Sequence, residues 1–153
     1  MTNLTVHFSS NTNEWATPQN LFDHLNRIYK FTLDPCSDGT NAKCTKYFTE
    51  KDDGLEQDWS NDTVFMNPPY GRSIKDWIKK AYEESQKGAT VVALIPSRTD
   101  TRYWHDYCMK SAKITLIKGR VKFGDGNAPA PFPSALIEFN PHTHTDTRRN
   151  GRN

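Results

Sequence analysis

A chain of 153 residues has room for one domain that buries about two-thirds of the surface its unfolded form exposes. Apolar residues make up 35%, enough for a compact α/β protein with wet loops, and a formal charge of +2 argues for nucleic acid only through local clustering. No apolar run approaches the ~20 residues of a membrane span. The start Met1-Thr2-Asn3-Leu4 lacks the basic and apolar segments of a signal peptide. Cys36, Cys44 and Cys108 are an odd set without paired spacing, which fits reduced thiols in a cytoplasm. No close Cys/His cluster points to zinc, and His142 and His144 fall in a polar tail, so no metal is expected.

Residues 1–13 are polar and aperiodic and are expected to form a flexible lead-in. Trp15-Ala16-Thr17-Pro18 then precedes Leu21, Phe22, Leu25 and Ile28 at helical spacing. Thr17 as N-cap and Pro18 at the first helical position predict a helix start there. Such a helix either packs plainly on a sheet or also offers its free N–H groups to a ligand carboxylate, and both readings stay open. Residues 31–34 predict a short strand ending in Asp34, followed by the turn Pro35-Cys36-Ser37-Asp38-Gly39. A carboxylate at the C-terminal end of a strand is placed to hold an ammonium, although it serves equally as a turn residue. Gly39 stands alone, without the glycine pair of a G-x-G-x-x-G turn.

Asp34 and Val64 are separated by about thirty residues, which is roughly one βαβ unit. Two helical crossovers do not fit, so a doubly wound sheet must have an abbreviated front half in which loops replace helices. Residues 47–49 predict a short strand and Asp53-Gly54-Leu55 a turn. Asp52, Asp53 and Asp58 crowd this stretch beside the flat face of Trp59. An acid here either accepts from a ribose hydroxyl or an adenine amino group, or belongs to a solvated loop.

Val64-Phe65-Met66 reads as the end of a buried strand, and it stops at Asn67-Pro68-Pro69-Tyr70. Neither proline extends a sheet or enters a helix, and each holds the residue before it in extended geometry. The result is a stiff loop at a strand tip, facing the ligand crevice of an α/β sheet. The amide oxygen of Asn67 and the carbonyl of Pro68 can both accept from one planar amino group while Tyr70 stacks on the ring that bears it. The lone pair of an aromatic amine is delocalised into its ring. Acceptors on its N–H bonds favour a pyramidal nitrogen and localise that pair for attack on an electrophilic methyl group. Such electrostatic preorganisation needs no strong base.

Ser73 predicts the cap of a helix carrying Ile74, Trp77, Ile78, Ala81 and Tyr82 on one face and stopped by Gly88. Residues 89–95 predict a buried strand ended by Pro96, and Thr99 or Asp100 the cap of a further helix with Tyr103, Trp104, Tyr107 and Cys108 inward. Residues 114–117 and 135–139 predict two more strands, joined by a Gly/Pro/Ala-rich loop over 118–134. A link that short without helix signals implies an antiparallel pair at the sheet end. From Pro141 onward the chain is polar, with Arg148, Arg149 and Arg152, and a disordered basic tail is expected at 141–153.

In combination these landmarks resemble the phage and prophage Dam-type DNA adenine-N6 methyltransferases. The resemblance is carried, from Trp15 to Phe139, by several blocks in order. These are Trp15-x-Thr17-Pro18, Leu33-Asp34-Pro35-Cys36, Asn41-Ala42-Lys43-Cys44, Asp53-Gly54-Leu55 with Trp59, Asn67-Pro68-Pro69-Tyr70, the run from Leu94 to Thr101, and Gly119-Arg120-x-x-Phe123. It implies an abbreviated Rossmann-like, S-adenosylmethionine-dependent methyltransferase sheet over 14–140 with an antiparallel C-terminal strand pair. By the same resemblance Asn67, Pro68, Pro69 and Tyr70 form the catalytic loop. Asp34, Pro35 and Cys36 would hold the methionine part of S-adenosylmethionine, with Trp15, Thr17 and Pro18 closing on that end and Asn67 contributing. Asp53 or Asp58 would face the adenosine. The partner implied is DNA, its adenine flipped out of the stack. Arg72, Lys75, Arg98, Arg102, Arg120 and Lys122 flank the predicted strand ends and are candidates for phosphate contacts. No separate target-recognition domain fits, so sequence readout would come from loops, from 118–134, or from a second protomer. Rival readings are methylation of RNA adenine or protein glutamine, and a catalytically silent DNA-binding module.

Overall fold

The structure, a computed structural model, describes residues 15–124, 126 and 128–141. The expected lead-in at 1–13 and the tail beyond Pro141 lie outside the described residues. Six strands form one sheet: β1 (Leu33–Asp34), β2 (Lys46–Tyr47), β3 (Thr63–Met66), β4 (Thr90–Pro96), β5 (Lys113–Leu116) and β6 (Ser134–Phe139). Their order is β2-β1-β3-β4-β6-β5. The first four run parallel, whereas β6 pairs antiparallel with both β4 and β5, as the short link predicts. Among the described residues three α-helices accompany the sheet: α1 (Gln19–Tyr29), α2 (Ile74–Gln86) and α3 (Arg102–Asp106).

Parallel strands covered on both faces read as continuous apolar runs, and β3 and β4 are buried almost throughout. Side chains alternate along them and divide the core in two. Val64, Met66, Val91, Ala93 and Ile95 meet Trp77, Ile78 and Ala81 of α2 and Trp104 of α3 on one face. On the other, Phe65 and Leu94 meet Phe22 and Leu25 of α1 together with Val121 and Phe123 from the long β5–β6 connection.

No α-helix lies between β1 and β3, so the abbreviated front half is present. The chain crosses from β1 to β2 by a loop, and from β2 to β3 through one 3-10 turn, Gly54–Glu56. Backbone ties hold this loop region, Phe48 N–H to Asp34 O at 3.0 Å and Ser37 N–H to Phe48 O at 3.0 Å. Gly54 is pressed so closely on the Pro35 carbonyl that a β-carbon would stand 2.2 Å from its oxygen. Trp59, fully buried, donates its indole N–H to Gly54 O at 2.9 Å and its backbone N–H to the Glu84 carboxylate at 2.6 Å.

Several helix starts differ from expectation. Pro18, not Thr17, occupies the cap of α1, and no side chain caps that helix. Ser73 stands at the cap of α2 without a side-chain hydrogen bond. The cap of α3 is Thr101 rather than Thr99 or Asp100, its hydroxyl accepting from Trp104 N–H. β4 does end at Pro96, which is its last residue and stands opposite Ser134.

Candidate active site

The strand order reverses between β1 and β3, because the chain leaves β1 toward β2 on one side and returns to β3 on the other. In open α/β sheets the crevice outside the carboxyl ends at such a point is the usual ligand site. Asp34 ends β1 and Asn67 follows β3, so both stand at its mouth. A cavity of about 730 Å³ opens there, within the usual size of small-molecule sites. Its walls include Trp15, Thr17, Asp34, Cys36, Asn67, Pro68, Pro69, Tyr70, Arg72 and Arg98. Residues far apart in the chain, some singled out by a local signal and others only by the family resemblance, thus line one cavity.

Asn67 sits at the hub. Its amide nitrogen donates to the Trp15 carbonyl at 2.6 Å and to the Thr17 hydroxyl at 3.0 Å. Its amide oxygen accepts from the Tyr70 hydroxyl at 2.6 Å, and that hydroxyl also lies 3.0 Å from Leu94 O. The Asn67 backbone carbonyl takes the Cys36 thiol at 3.3 Å. The Pro68 carbonyl has no hydrogen-bond partner among the described residues and stands free to accept. Burial, with the Asp34 carboxylate beside it, pushes the Cys36 thiol far up. Burial likewise raises the Tyr70 phenol, with Cys36 adding to it, so Tyr70 stays a donor at ordinary pH.

The Tyr70 ring does not project alone. Trp15 lies nearly parallel to it, centroids 6.5 Å apart and planes 22° apart. Phe123 and Phe132 meet Tyr70 edge-on at 6.1 and 5.7 Å. These two come from the long β5–β6 connection, so that loop forms part of the wall, with Phe132 lining it directly.

Asp34 is 5% exposed. Its carboxylate accepts from Cys36 N–H at 3.3 Å and Lys43 N–H at 3.0 Å. Burial raises its pKa, and those hydrogen bonds and the Lys43 charge oppose the rise without cancelling it. The cavity wall thus holds a buried carboxylate with two backbone partners, its charged form penalised by burial.

Other expected residues stand elsewhere. Pro35 is buried behind the wall, against Gly54. Pro18 and Lys122 line a second hollow of about 640 Å³ beside the start of α1. Asp53 is exposed, its backbone left-handed at φ 56°, and it leads into the 3-10 turn. Asp58 is also exposed, its carboxylate accepting from Ser60 N–H at 2.9 Å. Neither acid lines the cavity. Of the six basic candidates, Arg72 and Arg98 reach the wall. Lys75 and Arg102 are exposed in the first turns of α2 and α3, and Arg120 donates to Ala130 O at 3.3 Å within its own loop.

Among the wall residues that escaped the sequence reading as site residues are Asn41, Lys43 and Glu50. Glu50 follows β2 closely, and an acid just past a strand is the signal that had singled out Asp34. Among the described residues no helix is long and apolar enough to cross a membrane, and no group of three His, Cys, Asp or Glu side chains is placed to hold a metal ion.

The family model of DNA N-6-adenine-methyltransferase (Dam) matches residues 5–143. The DNA N-6-adenine-methyltransferase of Haemophilus phage HP1 (strain HP1c1) is 28% identical over 136 residues, covering 83% of this chain and 78% of that protein. A putative methyltransferase YfdM of Escherichia coli (strain K12) is 42% identical over 64 residues, 37% of this chain and 70% of that protein. The DNA N-6-adenine-methyltransferase of Escherichia phage T1 is 28% identical over 106 residues, 68% of this chain and 44% of that protein. With a match spanning nearly all of the described fold, the chain belongs to the DNA N-6-adenine-methyltransferase (Dam) family.

Proposed function

We propose that the chain transfers a methyl group from S-adenosylmethionine to the exocyclic amino group of adenine in DNA, at the loop Asn67-Pro68-Pro69-Tyr70. The observation that carries this reading is the pair of acceptors at the end of β3. The Asn67 amide oxygen and the unpartnered Pro68 carbonyl belong to one stiff loop on the cavity wall. S-adenosylmethionine supplies the electrophilic methyl when bound. The cavity suits it chemically, because the buried Asp34 carboxylate wants a cation such as the methionine ammonium.

Trp15 and Thr17 stand beside the same wall, and Cys36 ties the Asp34 turn to the Asn67 backbone. Glu50 rather than Asp53 or Asp58 is the wall acid able to accept from ribose hydroxyls. Asn67 and Pro68 take the N–H bonds of the adenine amine and favour its pyramidal form, which is a differential gain in the transition state. In the unliganded protein the Tyr70 hydroxyl occupies the Asn67 oxygen, so the incoming amine replaces that hydrogen bond. Flipping the base costs a few kcal/mol, and stacking on the Tyr70 ring returns roughly 1–3 kcal/mol of it. DNA as substrate places the protein in the compartment that holds the DNA, the cytoplasm of a bacterial host.

Single-turnover methyl transfer with duplex DNA, RNA and a glutamine peptide tests the reading. Asn67→Ala should slow the step on DNA about a hundred- to a thousandfold, as loss of one preorganised polar partner does, while cofactor and DNA affinities change little. Tyr70→Ala should weaken productive DNA binding by about 1–3 kcal/mol, and Tyr70→Phe, which keeps the ring, should retain most of it. Transfer to RNA or glutamine but not DNA would overturn the substrate. An unaltered rate in Asn67→Ala would overturn the site.

A further inference from the structure

Catalysis at Asn67 depends on which end of its amide faces the substrate. The two ends differ little in size, and only the oxygen accepts from an adenine amine. With the amide turned over, an NH₂ group would confront another NH₂ group, and the site would repel the reacting nitrogen.

The surroundings of Asn67 decide the orientation. A peptide carbonyl accepts and never donates, so the amide atom 2.6 Å from the Trp15 carbonyl must be the nitrogen. That nitrogen has a second hydrogen, and the Thr17 hydroxyl lies 3.0 Å away to take it. With both hydrogens held on one side, the oxygen is left toward Tyr70 and the cavity, where the phenol donates to it at 2.6 Å. Thr17 is 5% exposed, and its hydroxyl caps no helix. We infer that Thr17, with the backbone carbonyl of Trp15, is a positioning residue that locks the Asn67 amide with its oxygen toward the substrate amine.

This assignment differs from a cofactor contact through the Thr17 side chain, and it rests on the catalytic role proposed for Asn67. It also explains why a segment preceding α1 belongs to the site. Pro18 has φ −58° and ψ 136°, an extended conformation outside the helix, and the residue before a proline is itself biased to extended geometry. Pro18 therefore stays extended ahead of α1, and the Trp15 carbonyl, outside the helical ladder, is left to accept from the Asn67 amide.

The test compares Thr17→Val, which keeps the shape and removes the acceptor, with Thr17→Ser, which restores the hydroxyl. Single-turnover methyl transfer to DNA, S-adenosylmethionine affinity by calorimetry, and the side-chain NH₂ resonances of Asn67 are measured for each. Asn67→Ala assigns those resonances, and thermal melting checks the fold. Thr17→Val should lower the rate about tenfold, the scale of one hydrogen bond lost without replacement. Cofactor affinity should stay within about twofold, the Asn67 NH₂ pair should shift and exchange faster, and Thr17→Ser should recover both rate and resonances. Should Thr17→Val fail to fold, Thr17→Ala is read by the same measurements. An unchanged rate and unchanged resonances in the variant would overturn the inference, as would a fall in cofactor affinity that accounts for the lost rate. A wild-type protein inactive on DNA, whose Asn67 pair still responds to Thr17→Val, would overturn the proposed reaction and leave the positioning intact.

Discussion

Asp34 shows what a single buried acid demands. Its carboxyl is raised by burial, because two backbone N–H groups and the nearby Lys43 charge do not repay the lost hydration. A raised folded-state pKa means that the folded protein holds this proton to higher pH than the unfolded chain. The associated stability is complete below the ordinary carboxyl pKa and is lost as pH rises through the raised one. A cation docking on Asp34 reverses that cost. S-adenosylmethionine affinity should therefore fall as pH drops through the raised pKa, with proton release on binding in that range. Asp34→Asn should lose about ten- to a hundredfold in affinity at neutral pH, the scale of one charge-assisted hydrogen bond. It should also flatten the pH profile. Calorimetry in buffers of different ionisation enthalpy reads both quantities, and an unaltered profile in the variant would remove Asp34 from the ammonium site.

At the scale of elements, the turn after β1 is shaped from behind. The Asp53-Gly54-Leu55 turn presses on Pro35, and Trp59 holds Gly54 O from the far side. Gly54 and Trp59, which lie next to the two acids the resemblance had offered for the adenosine, thus form the backing of the Asp34 turn. In Gly54→Ala the new methyl would stand 2.2 Å from the Pro35 oxygen, a backbone atom that must move. Overpacking of this kind costs about 1–3 kcal/mol. Asp34 precedes Pro35, so the shift carries to the site. The variant should melt lower and also bind S-adenosylmethionine more weakly, whereas a purely local defect would change melting alone. Calorimetric titration beside a thermal melt separates the two outcomes.

For the molecule as a whole, charge is too balanced to hold DNA without local help, at a formal +2. Of the six basic candidates, Arg72 and Arg98 are the ones the fold brings to the cavity wall, where Lys43 also stands. Each phosphate contact contributes about one unit to the slope of log affinity against log salt. Arg72→Ala and Arg98→Ala should each flatten that slope by about one unit. Lys122→Ala, beside the second hollow, should leave it nearer the wild-type value. Fluorescence anisotropy across a salt series measures this. Equal slopes in wild type, Arg72→Ala and Arg98→Ala would deny both arginines a phosphate role.

Elements with strong local signals were legible from the chain alone. The apolar runs of β3 and β4, the periodic face of α2, the proline stop after Met66 and the short link before β6 are all decided by residues near one another in sequence. The short front half followed from length, since about thirty residues cannot hold two helical crossovers. Capping at α3 was local too, but Thr99, Asp100 and Thr101 are adjacent and chemically alike, so only hydrogen-bond geometry selects Thr101. The partners of Asn67 belong to another class. Trp15 and Thr17 lie about fifty residues upstream, and nothing in their spacing says that they meet the amide. The same holds for Gly54 against Pro35, for Glu50 on the wall, and for Asp53 and Asp58 off it. These contacts depend on strand order and on the path of two loops. Closing such a distance is an entropic cost that the packed sheet repays as a whole, and no short stretch of sequence encodes it.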